Sequence, residues 1–256
     1  MSEKKSGALI PAATIMLLRD GDKGLEVFMV VRHHQIDFAS GAYVFPGGKV
    51  DDADGLSNAD EVRPLCSAST EFDDLELAFR VAAIREAFEE ADLIFARKDG
   101  AIVSADMLDD MDKDRDALNN RQTTMAEIAR NNGIELGLDL LTPFAHWVTP
   151  PTLAKRFDTA FYIIRMPAEQ ADLARHDGRE AVESSWQTAQ GFLDKAKSGE
   201  ITMVFAIQRN LEKLARSNST ADAVAAAEAD TIVRVCPDVR KEGDKIILRI
   251  PAEAGF

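Results

Sequence analysis

The sequence predicts an α/β fold in which a mixed, largely antiparallel sheet carries helices on both sides. Two β-rich runs, residues 12–19 and 25–32, flank the turn sequence DGDKG, which is typical of an antiparallel hairpin. Residues 75–93 repeat apolar side chains with a period of about 3.6 residues, which indicates a helix packed against a sheet. The run RFDTAFYIIRM at 156–166 is the strongest strand signal in the chain.

The segments before the helix predict a tight bend. Residues 42–45 form a predicted third strand that leads into the sequence FPGGKVDD. Gly47 and Gly48 in this bend can adopt backbone angles that other residues avoid. The polar stretch 55–73 lacks periodic apolar residues, so we interpret it as a surface loop inserted between the bend and the helix.

The rest of the chain predicts an insertion and an extension. Residues 106–132 are expected to be helical throughout, inside a helical insertion at 105–142 that caps the functional site. The other predicted elements are a strand at 93–97, a strand at 182–187, helices at 189–197 and 205–216, and strands at 231–235 and 245–250 that pair with each other. We therefore expect one domain, 8–216, with a C-terminal extension, 217–256, packed on it.

Composition excludes several classes of protein. The 256 residues are 46% hydrophobic, which is enough for a large core, and the formal net charge of −14 argues against binding to a nucleic-acid backbone. No apolar run approaches the roughly 20 residues that span a bilayer, so no membrane partner is expected. Two cysteines without metal-like spacing favour a reducing, cytoplasmic location.

Three carboxylates share one side of the predicted helix. Glu86, Glu89 and Glu90 are three and four positions apart, and the apolar stripe of the helix lies opposite them. Three glutamates at this spacing are usually a solvated face, but here the upstream part of the same face is apolar or small. Clustered carboxylates beside a glycine bend are most simply neutralised by Mg²⁺ or Mn²⁺, which prefer oxygen ligands.

These residues resemble the Nudix box, the signature of the Nudix hydrolases, whose fold is an α/β/α sandwich. Gly48 matches the leading glycine, and the sequence REAFEEADL at 85–93 matches the second half. Ala87 replaces an aliphatic residue, and Asp92 replaces a glycine at the helix end, where aspartate tolerates the left-handed conformation better than most residues.

The box is interrupted by the polar insertion, which leaves one role open. In the family the first glutamate of the box orients the arginine, here Arg85. Asp54 occupies the offset of that glutamate from Gly48, but Asp74 and Glu76 lie closer to Arg85 along the chain. Any of the three could hold the arginine.

Further patterns resemble one branch of the superfamily. Arg32, Gly41 and the FPGG sequence fall at the offsets of the coenzyme A diphosphatase pattern, whereas His33 and Asp37 depart from it. The interrupted box, the helical insertion and the phrases PFAHWVTPP and RFDTAFYI are similar to the branch that contains the peroxisomal coenzyme A diphosphatase.

The resemblance implies metal-dependent hydrolysis of a diphosphate bond in a small nucleoside diphosphate-X compound, with coenzyme A or an acyl-CoA as one candidate. It implies that Mg²⁺ or Mn²⁺ is held by Glu86, Glu89, Glu90 and the Gly48 carbonyl, and that Arg85 orients the glutamates. The general base is Glu86, Glu183 or Glu180.

Substrate identity stays open in the sequence. Arg32, Lys49, Lys155 and Arg156 are candidate phosphate-binding residues, because an acidic chain needs local positive charge to bind an anion. The alternatives are a nucleotide-sugar or dinucleotide pyrophosphatase, and a non-catalytic Nudix-fold regulator. A homodimer is expected only from the general frequency of such assemblies.

Overall fold

The computed structural model describes residues 7–32, 41–167, 170–179, 181–243 and 245–256. The strands are β1 Leu9–Gly21, β2 Gly24–Arg32, β3 Tyr43–Val44, β4 Gly47–Lys49, β5 Ala96–Lys98, β6 Ala101–Ile102, β7 Glu135–Leu136, β8 Thr142–Val148, β9 Arg156–Arg165, β10 Ala181–Thr188, β11 Arg234–Val235, β12 Asp238–Glu242 and β13 Lys245–Arg249. The helices are α1 Ala59–Val62, α2 Asp74–Ala91, α3 Ala105–Asp110, α4 Asp112–Asn119, α5 Met125–Asn132, α6 Ala189–Ser198, α7 Phe205–Leu214 and α8 Thr220–Ala229.

The main sheet is mixed and largely antiparallel, as predicted. Its strand order is β10-β2-β1-β9-β8-β11, with β3 paired to β2 and β4 paired to β1. The pairs β1 with β9 and β8 with β11 are parallel, and the remaining pairs are antiparallel. The predicted hairpin of β1 and β2 is confirmed, with Gly21 opposite Gly24 at its end.

Helices cover both faces of this sheet. The ring of Phe79 on α2 packs edge-on against His146 of β8, with ring centroids 5.9 Å apart. The next residue of β8, Trp147, packs instead against Phe205 of α7, at 6.0 Å between centroids. Because successive strand residues point to opposite faces, α2 and α7 lie on opposite sides of the sheet. The predicted α/β fold, a sandwich of helices around one sheet, is confirmed.

Helix α2 is buried around most of its circumference. The predicted apolar stripe is buried, and so are Arg85, Glu86 and Glu90 on the side that amphipathicity alone would place in water. The helix begins after Asp73, whose side chain accepts a hydrogen bond from the backbone N–H of Glu76 at 2.8 Å. The carboxylates are therefore part of the interior and not of a solvated helix face.

Several predicted boundaries were wrong. The stretch 55–73 is no plain surface loop: it contains α1 and short helical turns, and it buries Val62 and Cys66. The strand expected at 93–97 begins only at Ala96. The expected continuous helix at 106–132 is three helices, because the chain turns at Met111 and again at Arg121, which has a φ of 57°.

The C-terminal strands do not pair as predicted. The expected pairing of 231–235 with 245–250 was wrong: β11 joins the edge of the main sheet beside β8, and β13 pairs with β12 in a separate hairpin. The reason lies in β11, whose Val235 is fully buried opposite Trp147 and so belongs to the core. In the described part of the chain, no helix is long and apolar enough to cross a membrane.

Candidate active site

The glycine bend touches the glutamates of α2 directly. Strand β4 pairs with β1, and a Cβ atom added to Gly48 would lie 2.4 Å from Oε1 of Glu86. The backbone N–H of Gly47 donates a hydrogen bond to Oε2 of Glu90 at 3.0 Å. Neither glycine has a positive φ, so the predicted unusual backbone angles were wrong. Glycine is required because a side chain at Gly48 would collide with Glu86 of the helix, and a Cβ atom at Gly47 would lie 2.6 Å from the carbonyl oxygen of Ala13 in β1.

Arg85 connects three carboxylates. Its guanidinium donates to Glu86 at 2.8 Å, to Glu89 at 2.5 Å and to the carbonyl of Lys49 at 2.7 Å. Its other edge meets Asp54, with Nε to Oδ1 and Nη2 to Oδ2 both at 3.0 Å. Arg85 thus fixes two glutamates relative to the bend, which is the orienting geometry that the box resemblance implies.

The structure also distinguishes among the three candidate partners of Arg85. Asp54 is almost fully buried against it, in the turn that follows β4. Asp74 instead pairs with Arg63 at 2.6 Å, and Glu76 pairs with Arg80 at 2.7 Å. Asp54 therefore takes the position of the first box glutamate.

Burial makes these carboxylates hard to ionise. Burial raises the pKa of Glu86 to about 8, with Arg85 opposing the shift and Glu89 adding to it. Burial likewise raises the pKa of Glu89 and of Asp54, again against the effect of Arg85. Although burial alone would lower the pKa of Arg85, the surrounding carboxylates raise it well above its usual range. The cluster carries more acidic groups than the arginine can balance, and a cation would offset them.

The donor set suits a divalent cation, although the oxygens are not gathered for one. Among the described residues, no three acidic, histidine or cysteine side chains form a group that could hold a metal ion. Arg85 holds Glu86 and Glu89, and the Gly47 N–H holds one oxygen of Glu90. All three glutamates nevertheless line the same cleft, and carboxylate oxygens are the ligands that Mg²⁺ and Mn²⁺ prefer.

The cleft is large and changes character along its length. Its volume is about 1300 Å³. The box end carries the acidic cluster together with Arg32 and Lys49, and the buried Nε of Arg32 has no hydrogen-bond partner in the described part of the chain. Asn119 at the end of α4 and Arg121 in the turn to α5 also line the cleft. The far end is apolar, with Trp147, Phe205, Ile207, Val239 and Leu248.

Two predicted site residues lie elsewhere. Glu183 is an exposed residue of β10 that accepts a hydrogen bond from the Tyr43 hydroxyl at 3.0 Å, and it is not among the described residues lining the cleft. Arg156 donates to the carbonyl of Thr149 at 3.0 Å, and it too is outside the described lining, whereas its neighbours Lys155 and Phe157 are part of it. The alternation of side chains along a strand explains this difference. Glu180, His33 and Asp37 lie outside the described residues.

Asp92 has a role that the sequence did not reveal. It ends α2 in the left-handed conformation, with a φ of 61°, as expected from its place in the box. Its carboxylate pairs with Arg115 of α4 at 2.9 Å and accepts a hydrogen bond from Arg175. Arg115 also donates to the backbone carbonyl of Glu89 at 3.2 Å. The aspartate therefore ties the helical insertion to the end of the box helix, which glycine could not do.

Comparisons with known proteins agree with this geometry. The family model described as the NUDT19 Nudix domain matches residues 65–212. The Xenopus laevis protein named acyl-coenzyme A diphosphatase NUDT19 is 26% identical over 217 residues, which are 69% of this chain and 56% of that protein. The crystal structure of a NUDIX hydrolase from Alicyclobacillus acidocaldarius is 29% identical, with a TM-score of 0.71, and covers 86% of this chain and 96% of that one. The chain thus spans about half the length of the frog protein.

Proposed function

Because this chain belongs to the NUDT19 Nudix domain family, we propose that it hydrolyses a diphosphate bond in a nucleoside diphosphate-X compound, with acyl-CoA or coenzyme A as substrate. The observation that carries the proposal is the contact of Arg85 with Asp54, Glu86 and Glu89 on the wall of a large cleft. A non-catalytic fold would not need three mutually repelling carboxylates at a cleft wall.

Four residues are proposed to hold the cation: Glu86, Glu89, Glu90 and Gly48. A bound Mg²⁺ or Mn²⁺ would offset charge on the diphosphate and make a bound water more acidic. Arg85 keeps the carboxylates of Glu86 and Glu89 in place, so it is a positioning residue. Of the two candidate bases that the structure describes, Glu86 lines the cleft and Glu183 does not, so we favour Glu86.

Positive charge for the substrate phosphates is available beside the cluster. Arg32, Lys49 and Lys155 line the cleft, and we propose that they bind the diphosphate and the nucleotide. The Nε of Arg32 has no hydrogen-bond partner among the described residues, and an anionic oxygen would satisfy this donor. Arg156 donates to the carbonyl of Thr149 and is not itself among the described lining residues, so it is no longer favoured.

The length of the cleft favours a substrate with an apolar group far from the diphosphate. Strand register places Lys49 opposite Ala12, Ala12 beside Thr159, and Thr159 opposite Trp147. All four residues line the cleft, and three inter-strand steps of about 4.8 Å separate Lys49 from Trp147 by about 14 Å. An acyl-CoA carries its acyl group on a long arm, whereas a nucleotide sugar places a polar ring next to the diphosphate. The apolar far end fits the first better.

One screen tests this proposal. The purified chain is incubated with coenzyme A, palmitoyl-CoA, NADH, ADP-ribose and nucleotide sugars, each with Mg²⁺ or Mn²⁺, and product nucleotides are measured. We expect turnover of the coenzyme A compounds to exceed that of the others. Turnover of nucleotide sugars alone would replace the proposed substrate, and ligand binding without turnover of any diphosphate would favour a regulator.

The matched variant is Glu90→Gln. Its amide oxygen can still accept the hydrogen bond from Gly47, so we expect nearly unchanged thermal stability. It loses a charged oxygen of the cluster, so we expect turnover to fall by about two orders of magnitude or more. Full activity of this variant would remove Glu90 from the proposed site. The cytoplasmic location, the homodimer and the division at residue 216 remain predictions.

A further inference from the structure

We propose that the hairpin of β12 and β13 determines substrate specificity by holding the apolar group of the substrate at the far end of the cleft. The inference rests on the proposed function and adds to it. The match to the family model ends at residue 212, so the hairpin lies beyond the segment that carries the family assignment.

One face of the hairpin belongs to the cleft. Val239 and Leu248 are directly opposite each other in the antiparallel register, so their side chains lie on the same face. Both line the cleft, as does Pro237, which precedes the hairpin. Asp238 and Arg249, the neighbouring register pair, are exposed. The period-2 pattern therefore directs an apolar pair into the cleft and charged residues toward solvent.

Another part of the cleft lining is aromatic and fixed in position. The indole N–H of Trp147 donates to the side-chain oxygen of the buried Asn210 at 3.2 Å, which orients the ring. Phe205 packs against the same ring edge-on, and both aromatic residues line the cleft. Strand β11, which leads into the hairpin, has Val235 opposite Trp147. The hairpin thus follows directly after a strand that pairs beside this aromatic part of the lining.

Val239 and Leu248 are only half-buried, so part of their apolar surface is available to an apolar ligand. A two-stranded hairpin is at best marginally stable alone, and apolar pairs gain stability only when something covers them. The cleft continues from this pair to the basic and acidic residues at the box end. An apolar chain attached through a long arm to a diphosphate would occupy both ends at once. The acyl group of an acyl-CoA has this chemistry.

The dependence on acyl-chain length tests the proposal. We measure kcat/KM for coenzyme A and for its acetyl, octanoyl and palmitoyl thioesters, in the unchanged chain and in the double variant Val239→Ser/Leu248→Ser. In the unchanged chain we expect kcat/KM to rise with chain length, by at most about fourfold for each methylene that is buried. In the double variant we expect this rise to flatten, measured as the ratio of kcat/KM for each thioester to kcat/KM for coenzyme A in the same variant.

Two further variants make the result specific. Arg240→Ser changes a residue on the exposed face of the hairpin and should keep the full chain-length dependence. Val239→Leu/Leu248→Val exchanges the two apolar side chains and keeps the apolar surface. This variant should keep the dependence of kcat/KM on acyl-chain length, even if the serine variant loses the hairpin fold. An equal chain-length dependence in the serine variant and the unchanged chain, or no dependence in either, would overturn the inference. Failure to hydrolyse coenzyme A and all its thioesters would instead overturn the proposed function.

Discussion

Replacing Asp54 by asparagine tests whether this residue holds the guanidinium of Arg85 in place. Its two oxygens accept from three donors: Oδ1 from Nε of Arg85, and Oδ2 from Nη2 of Arg85 and from the backbone N–H of Asp51 at 2.8 Å. An asparagine has one oxygen and one NH₂ group. Whichever way the amide is turned, its NH₂ therefore faces an N–H donor.

The expected loss of stability follows from that mismatch. A buried donor left without an acceptor costs about 1–3 kcal/mol, and more when it is charged, as Arg85 is. Relief of repulsion between Asp54 and Glu86 offsets part of this loss. We expect a net loss of about 2–3 kcal/mol, which lowers the Tm of a chain of this size by about 4–12 °C. Because Arg85 also holds Glu86, kcat should fall by about tenfold or more.

The control is Asp74→Asn, since Asp74 was an equal candidate in the sequence. Asp74 pairs with Arg63 near the surface, and its side chain is 74% exposed. Exposed pairs contribute about 1 kcal/mol or less, so this variant should keep its kcat and most of its Tm. The measurements are thermal unfolding followed by circular dichroism and steady-state hydrolysis of the preferred substrate. Equal effects of Asp54→Asn and Asp74→Asn would refute the assignment of Asp54 to Arg85.

Two further predictions concern the same centre. Gly48→Ala places a Cβ atom 2.4 Å from Oε1 of Glu86, so the carboxylate must move. We expect kcat to drop by about tenfold or more in steady-state assays. An unchanged kcat would contradict the close approach of Gly48 and Glu86. For pH, Glu86 has a folded pKa of about 8 and an ordinary value of 4.5, so between these values the folded state binds the extra proton. The metal-free protein should therefore lose stability as pH rises from 4.5 to 8 in denaturant titrations, and Mn²⁺ binding should release protons in calorimetry. Glu86→Gln should reduce both effects, and a pH-independent stability in the unchanged chain would contradict the burial of this charge.

Local patterns predicted much of the fold. Hairpin and strand signals located β1, β2 and β9, because these strands alternate or concentrate β-branched residues in ways that only a sheet accommodates. The box predicted the helix, the carboxylates and the left-handed end at Asp92. In each case the physical cause of the structure lies within a few residues of the feature, so one sequence is enough to find it.

Features that depend on distant contacts were not predictable in this way. Strand β12 has the sequence DVRKE, which has little β character, and only its pairing with β13 makes it a strand. The candidate base Glu183 was chosen for its residue type, but its distance from the cleft depends on where β10 pairs in the sheet. Lys155 and Arg156 were both candidates in the sequence. Because neighbouring residues of an extended chain point to opposite sides, Lys155 lines the cleft and Arg156 does not.

The interrupted box shows how a long insertion can leave a site intact. The inserted segment leaves the site at Asp54 and rejoins the box helix at its N-cap, Asp73, and both residues are held by hydrogen bonds. Asp54 is fixed by the N–H of Asp51 and by Arg85, and Asp73 caps the first turn of α2. Since Arg85 is joined to Asp54 through space, the distance between them along the chain does not enter the geometry. An insertion is tolerated here because Asp54 reaches Arg85 through space, so the spacing of a motif can change while this contact does not.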